Sequence, residues 1–463
     1  MSIGFRPTPS QKAAIDAENC AVLVSAGAGS GKTKVLTERL MRYLRETDAG
    51  ISDFLVITYT KAAAAELRSR IKHEIQETLE KEELSDILRE KLRKESAKTA
   101  NAKIGTIHSF CADILRENCQ EADLPAGFRV ADEERIETIK KTVADRVLEE
   151  YYLNIDSDDG FRTLADSIGR GTDDSALAET LLDLYSKMQS HARPIKWLEQ
   201  QNKLFSDTIK VKDPGETLWG KEQLKAVSRK ALFWAGQFDS LIRLMQKDEA
   251  IAAAYTDNFS ETAESLRELA RVSETAEHRW ERTSEAVHID FSRLGRIKGG
   301  YDEELKKHLQ ARRSKCKEEL EALEGFFAGG SEEICRQISE TVPALNALIR
   351  LAEDFDSAFT AEKRRQGLID YSDMEHIAAA ILTNEDGTPT ETARSISERF
   401  LEIMVDEYQD VSDVQETIFN AVSKNNGRNL FAVGDVKQSI YRFRLANPGI
   451  FIKKYKEYSA DPD

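Results

Sequence analysis

Short apolar runs and longer amphipathic segments alternate near both ends of the chain. The apolar runs cover residues 20–24, 54–57, 403–405 and 430–433. A segment with apolar side chains at helical spacing follows each run, as in residues 35–43 and 61–75. Short buried strands that alternate with helices are typical of a parallel sheet covered by helices. The pattern therefore predicts an α/β fold.

The middle of the chain, from residue 121 to residue 360, has a different pattern. Its apolar and charged positions repeat with a helical period, for example across residues 305–323, and strand patterns are few. Short glycine-containing segments predict turns between these helices: Asp159-Gly160, Asp213-Pro214-Gly215, Gly299-Gly300 and Gly329-Gly330. We therefore expect one α/β domain, formed by residues 1–120 and 361–463, that a large all-helical insertion interrupts.

Composition permits a packed interior but does not favour a nucleic-acid partner. Hydrophobic residues make up 40% of the 463 residues and charged residues 32%, with a formal net charge of -16. A net negative charge disfavours binding to nucleic acid. Salt screens such a charge over about 10 Å, however, so a local basic groove on an acidic body is compatible with the composition.

The sequence also indicates where the protein works. No apolar run approaches the roughly 20 residues that a membrane span needs, and the N-terminus lacks the apolar core of a signal peptide. The five cysteines are scattered, without a C-x-x-C pair. This usage fits a reducing compartment and argues against a zinc site or a disulfide framework. We therefore expect a cytoplasmic protein with no membrane partner.

A glycine-rich segment, residues 25–33, follows the first predicted strand and opens a helix. That context is what a P-loop requires, because its backbone N–H groups and the helix N-terminus face the phosphates of a nucleotide. Lys32 would reach the β- and γ-phosphates, and the Thr33 hydroxyl would hold Mg²⁺. The strict pattern has glycine where this chain has Ala26. The predicted nucleotide-binding residues here are Ala26, Gly27, Ala28, Gly29, Ser30, Gly31, Lys32 and Thr33.

Two adjacent acids, Asp406 and Glu407, follow the third apolar run. P-loop folds place the acid that binds Mg²⁺ at such a strand end, which assigns this role to Asp406. Glu407 would orient and deprotonate an attacking water. A pair of this kind suits hydrolysis better than transfer of the phosphoryl group to a bound acceptor.

Seven segments in chain order resemble the motifs of UvrD/Rep-like superfamily 1 DNA helicases, most closely those of the AddA-type helicase–nuclease subunit. They are residues 8–11, 26–33, 58–67, 105–111, 367–373, 406–410 and 434–444. The resemblance implies a RecA-like P-loop sheet, domain 1A, interrupted by the helical domain 1B. It also implies ATP and Mg²⁺ as cofactors, single-stranded or duplex DNA as partner, and movement from 3′ to 5′.

The resemblance assigns further residues. Gln11 would read the adenine edge, and Gln438 would contact the γ-phosphate or the lytic water as a catalytic residue. The DNA-binding residues would be Tyr59, His108, Phe110, Tyr441, Phe443 and Arg444. Aromatic side chains interleaved with arginine suit a single strand, because a stacked base contributes about 1–3 kcal/mol whatever its identity. A single aromatic side chain can equally pack in a core, and His108 can equally be structural.

The family has a second RecA-like domain after these motifs, and the AddA type has a nuclease domain, but neither has a counterpart in this sequence. We therefore expect the chain alone to bind ATP·Mg weakly, to hydrolyse it very slowly and not to unwind DNA. An AddB-type subunit is the implied partner of the full-length protein. The alternatives are a fragment of a plain UvrD-like repair helicase, a DNA- or partner-binding module without hydrolysis, and a P-loop kinase or GTPase. Lys32, Asp406 and Glu407 favour a hydrolysing motor.

Overall fold

The computed structural model describes residues 6–81, 84–168, 175–208, 210–275, 277–327, 329–439 and 446–460. The β-strands are β1 (Val22–Ser25), β2 (Phe54–Thr58), β3 (Ile104–Thr106), β4 (Arg129–Val130), β5 (Leu368–Ile369), β6 (Glu402–Val405) and β7 (Leu430–Gly434). The α-helices are α1 (Pro9–Asp16), α2 (Lys32–Glu46), α3 (Lys61–Leu79), α4 (Asp86–Lys98), α5 (Ile107–Glu117), α6 (Glu133–Leu153), α7 (Asp159–Ile168), α8 (Ser175–Met188), α9 (Pro194–Thr208), α10 (Leu218–Met245), α11 (Glu249–Thr275), α12 (Arg279–Ala286), α13 (Glu303–Phe327), α14 (Gly330–Arg365), α15 (Tyr371–Leu382), α16 (Glu391–Ser397), α17 (Asp413–Val422) and α18 (Pro448–Ala460).

Five of these strands form one parallel sheet in the order β1-β7-β6-β2-β3. The predicted α/β fold with a parallel sheet is therefore confirmed, and each of the four apolar runs forms a strand. The short strand β3 was not predicted. A separate two-residue parallel pair, β4 with β5, was not predicted either.

Helices cover both faces of the sheet. Successive side chains of a strand point to opposite faces, so one strand contributes to the cores on both sides. Leu55 and Ile57 contribute to a core that includes apolar residues of α5, α15 and α17. Phe54 and Val56 contribute to a second core that includes apolar residues of α2, α3 and α4. Both faces of β2 are thus buried, which explains why its sequence reads as a continuous apolar run.

The chain divides into two compact units. The first comprises residues 1–155, 168–198 and 350–463 and contains the sheet. The second comprises residues 156–167 and 199–349 and has its own apolar core, drawn mainly from α10, α11, α12 and α13. Within the described ranges, no helix combines the length and the apolar character that crossing a membrane would take.

A buried ion pair joins α2 to β6 in the first unit. Arg39 is 0% exposed and Glu402 is 4% exposed, and Arg39 Nε lies 2.9 Å from Glu402 Oε2. Burial raises the pKa of Glu402, and the guanidinium of Arg39 opposes that rise. Arg39 Nη1 also donates to the carbonyl oxygens of Ala14 and Ile15 at 2.8 and 3.0 Å. Those carbonyls belong to α1, so the Arg39 side chain also holds α1, which contains Gln11, against α2.

We expect Arg39→Leu to lower the free energy of unfolding by about 3–5 kcal/mol, because Glu402 would stay buried without its partner. The double variant Arg39→Leu/Glu402→Leu should lose much less, since it leaves no buried charge. Urea denaturation followed by circular dichroism measures both. Arg70→Gln is the control, because Arg70 forms an exposed pair with Glu66 and should shift stability by less than about 1 kcal/mol. Equal losses in the single and double variants would contradict this explanation.

Candidate functional site

Three polar segments meet at one edge of the sheet. Residues 26–31 follow β1, residues 406–407 follow β6 and residues 435–438 follow β7. Because β1, β7 and β6 are parallel neighbours, their carboxyl ends lie side by side. In open α/β sheets, ligands bind beyond these ends. The structure thus brings the P-loop and the two acids together, although they lie near opposite ends of the chain.

The loop between β1 and α2 owes its path to two glycines. Gly29 and Gly31 adopt φ values of 72° and 83°, which a residue with a Cβ rarely tolerates. Lys32 then begins α2, so the helix N-terminus faces the loop. Ala26 N donates to Gly434 O at 3.1 Å and ties the start of the loop to β7. Residues 27–30, which include Ala28, are exposed, as a phosphate-binding loop must be.

Gln11 lies against the same loop. Its Nε2 donates to Ser30 O at 2.9 Å, and its Oε1 accepts from Thr8 N at 2.9 Å. The second contact belongs to a capping box at the start of α1, which fixes the side chain. The upstream segment therefore lies beside the predicted nucleotide-binding residues.

Thr33 and Asp406 offer two converging oxygen atoms. Thr33 Oγ1 lies 3.4 Å from Asp406 Oδ2. Burial, followed by the neighbouring charge of Glu407, raises the pKa of Asp406 to about 6, and Lys32 and Thr33 oppose the rise. Hydroxyl and carboxylate oxygens are ligands that Mg²⁺ prefers, and a bound cation would stabilise the charged carboxylate. These residues fit a magnesium ion held next to nucleotide phosphates.

Glu407 and Gln438 lie near this pair, Glu407 as the chain neighbour of Asp406 and Gln438 through its contact with Lys32. Glu407 adopts a left-handed conformation, with φ 54°, and its Oε2 accepts from Gln409 Nε2 at 2.8 Å. Gln438 Oε1 accepts from Lys32 Nζ at 3.4 Å, and Gln438 Nε2 donates to Asp435 Oδ2 at 2.6 Å. Neither Gln409 nor Asp435 was predicted from the sequence. Gln409 lies inside the recognised motif, but only the structure shows that it is buried.

A cleft of about 730 Å³ opens beside Asp406 and Glu407, at the carboxyl ends of β2, β3 and β6. Tyr59 and His108, two of the predicted DNA-binding residues, line it. The His108 ring lies 4.7 Å from the ring of Tyr371, and His108 Nε2 lies 3.0 Å from Glu375 Oε1. The cleft thus contains aromatic rings that are accessible to a ligand.

The other predicted DNA-binding residues have different placements. Phe110 is only 6% exposed and packs edge-on against Phe400, with 6.2 Å between the ring centroids. A base cannot stack on a covered ring, so we assign Phe110 to the core and withdraw its assignment to DNA. Tyr441, Phe443 and Arg444 lie outside the described residues.

Lys61, Arg116 and Tyr371 also line the cleft, and the sequence did not single them out. Tyr371 is 37% exposed, and both basic side chains are exposed. Lys61 and Tyr371 lie within two of the recognised motifs, residues 58–67 and 367–373, so the motifs pointed to the right segments but not to these side chains. No motif in the sequence includes Arg116, which lies on α5.

Comparison with known proteins agrees with this geometry. The family model of the UvrD/REP helicase N-terminal domain matches residues 7–459. The A subunit of the ATP-dependent helicase/nuclease of Clostridium acetobutylicum is 35% identical over 98% of this chain, which spans 37% of that protein. The proteins of the same name from Acetivibrio thermocellus and Geobacillus thermodenitrificans are also 35% identical over 100% of this chain, which spans 37% and 38% of them. The chain therefore covers little more than a third of the length of these relatives.

We expect Asp406→Asn to stabilise the nucleotide-free chain in a pH-dependent way. Because folding raises the pKa of Asp406 from 3.8 to about 6, the folded state binds the proton more tightly, and stability falls as pH rises through this window. The amide removes that penalty, so the free energy of unfolding should rise by about 1–3 kcal/mol near neutral pH and be unchanged near pH 4.

Chemical denaturation with EDTA, repeated across this pH range, measures the effect. Asp156→Asn is the matched control, because the Asp156 side chain is 100% exposed. A gain of the same size at both ends of the range would argue against a charge effect at Asp406.

Proposed function

Because this chain belongs to the UvrD/Rep helicase family, we propose that it is the ATP-binding and DNA-binding N-terminal portion of an ATP-dependent DNA helicase. We propose further that the motor moves from 3′ to 5′ and forms the helicase part of a helicase–nuclease that processes double-strand breaks. The observation that carries the proposal is the meeting of Lys32 and Thr33 with Asp406 and Glu407 at one edge of the sheet. The similarity to three helicase/nuclease relatives favours this type over a plain repair helicase.

Each residue of the nucleotide site has a distinct task in this proposal. Gln11 contacts adenine, and Lys32 with the loop N–H groups binds the phosphates. Thr33 and Asp406 hold Mg²⁺, which supplies positive charge next to the transferring phosphoryl group. Glu407 orients the attacking water and accepts its proton. Gln438, which bonds Lys32, contacts the γ-phosphate or that water.

We propose that single-stranded DNA occupies the cleft beside Glu407. Tyr59 and Tyr371 offer rings on which bases can stack, and Lys61 and Arg116 offer positive charge to phosphates. By family resemblance, Tyr441, Phe443 and Arg444 complete this track. His108, beside Tyr371, is a further contact. Acidic side chains also line the cleft, and Arg116 Nη1 lies 3.8 Å from Asp113 Oδ1. Base stacking rather than positive charge therefore carries this part of the proposal.

The wider organisation follows from the family. We propose that residues 1–120 and 361–463 are domain 1A and that residues 121–360 are domain 1B. The matched relatives are named as subunits, and we propose an AddB-type partner and a cytoplasmic location for the full-length protein. Since the chain spans 37% of the length of such a relative, we propose that rapid hydrolysis and unwinding need the rest of that length.

We expect Lys32→Ala to weaken ATP·Mg binding by tenfold or more, because a charge-assisted phosphate contact contributes roughly 1.5–3 kcal/mol. Glu407→Gln should bind ATP·Mg within about twofold of the parent and lose hydrolysis, because the amide keeps the shape and cannot accept the proton. Titration with a fluorescent ATP analogue and single-turnover phosphate release measure the two properties. Lys94→Ala, on the exposed surface of α4, is the control. Hydrolysis by Glu407→Gln at the parent rate would exclude Glu407 as the base.

We expect Tyr59→Ala to weaken binding of an oligo-dT strand by roughly 5- to 100-fold, the loss of one stacked base. Tyr59→Phe should bind like the parent, since the ring is kept. Fluorescence anisotropy at fixed low salt measures both affinities, and ATP·Mg titration shows whether the nucleotide site is intact. Unchanged DNA affinity in Tyr59→Ala would rule out stacking on this side chain.

A further inference from the structure

We propose that Gln409 is a positioning residue for ATP hydrolysis. Its side-chain amide holds the Glu407 carboxylate and joins it, through Asp435 and Gln438, to Lys32. This inference rests on the proposed function, because it gives Gln409 a role only if Glu407 acts on water. It adds a residue that contacts neither nucleotide nor DNA in the proposal above.

The amide of Gln409 uses both of its polar atoms. Gln409 is 1% exposed. Its Nε2 donates to Glu407 Oε2 at 2.8 Å and to Asp410 Oδ2 at 3.2 Å, and its Oε1 accepts from Asp435 N at 2.8 Å. A side-chain amide carries both a donor and an acceptor, so it can donate to a carboxylate on one side and accept a backbone N–H on the other.

The hydrogen bonds continue from Gln409 to the P-loop. Asp435, whose N–H bonds Gln409, accepts from Gln438 Nε2 at 2.6 Å through its own carboxylate. Gln438 Oε1 in turn accepts from Lys32 Nζ at 3.4 Å. These contacts link the phosphate-binding lysine to the proposed catalytic carboxylate, with Asp435 connecting the two sets of hydrogen bonds through its own backbone and side chain.

Glu407 needs such a contact because its backbone alone does not fix the carboxylate. The residue adopts φ 54°, a left-handed conformation that is unfavourable for a residue with a Cβ and persists only where the surroundings impose it. Its carbonyl is held by Asp410 N at 3.0 Å, but the glutamate side chain has several rotatable bonds beyond the backbone. The 2.8 Å bond from a buried amide selects one orientation.

The end of β7 packs closely against the Gln409 amide. A Cβ added at Gly434 would lie 2.4 Å from Gln409 Oε1 and 2.9 Å from Phe451 Cε2, so a side chain at this position would collide with the amide. Close packing on this side and the three hydrogen bonds together favour one orientation of the amide. Supporting contacts of this kind keep a catalytic group within the narrow range of geometries that supports reaction.

Two variants of the 463-residue chain separate positioning from mere stabilisation of the loop. Gln409→Leu removes all three hydrogen bonds of the side chain. Gln409→Asn keeps a neutral amide but is one methylene shorter, so it cannot reach Glu407 Oε2 and Asp435 N at the same time. Single-turnover hydrolysis of radiolabelled ATP gives the rate, titration with a fluorescent ATP analogue gives the Kd, and thermal unfolding gives the Tm.

We expect both variants to hydrolyse ATP about 10- to 100-fold more slowly than the parent, because the carboxylate loses its orientation. Their Kd for ATP·Mg should stay within about threefold, since Lys32, Thr33 and Asp406 are unchanged. Gln237→Leu is the matched control, because this amide accepts from Arg312 Nη2 at 2.6 Å in the second unit. It should hydrolyse ATP at the parent rate.

A Gln409→Asn chain that hydrolyses ATP within about threefold of the parent rate would overturn the proposal. Rates that fall only in proportion to nucleotide affinity would overturn it as well, because a loop defect then explains them. If Gln409→Leu does not fold, the Gln409→Asn chain carries the test. A parent chain that does not bind ATP·Mg in the titration would contradict the proposed function instead.

Discussion

The register of three parallel strands is the constraint on which the site depends. Ser25 pairs with Gly434 at the ends of β1 and β7, and Val405 pairs with Ala432 between β6 and β7. These pairings put the start of the P-loop, the acid pair and the loop after β7 at one edge. A slip of one residue would turn the apolar side chains of a strand to the opposite face. Both faces of this sheet pack against helices, so a slip would move each side chain into the opposite core, where its size and shape no longer match its neighbours.

The same edge concentrates negative charge that the fold only partly compensates. Burial raises the pKa of Asp406 and of Asp410, and the charge of Glu407 adds to both shifts. Gln409 lies among these three carboxylates and donates to two of them. Carboxylates whose pKa values are raised by burial together with a like charge are candidates for a functional site, whereas the buried Arg39 and Glu402 carry opposite charges. The site therefore gives up some stability in the nucleotide-free chain.

The sequence predicted the architecture better than the details of the site. Continuous apolar runs identified β1, β2, β6 and β7, because strands buried on both faces leave that pattern. β3 lacks the pattern, since Gly105 occupies the middle of its three residues. Two aromatic residues show that the sequence also does not reveal whether a side chain is buried or accessible. Tyr59 lines a cleft and Phe110 packs in a core, yet only tertiary packing distinguishes them.

The departure of Ala26 from the strict P-loop pattern has a structural explanation that also separates the glycines of this loop. Ala26 does not adopt a positive φ, and its N–H continues the pairing of β1 with β7 by donating to Gly434 O. A methyl group is compatible with that extension of the strand. Gly29 and Gly31 instead adopt φ values of 72° and 83°. No atom lies near the position that a Cβ would occupy at Gly29. Glycine is needed there because of the positive φ of the backbone, and not because a side chain would collide with a neighbour. The loop therefore requires glycine where the chain turns toward α2 and tolerates alanine where it leaves the sheet.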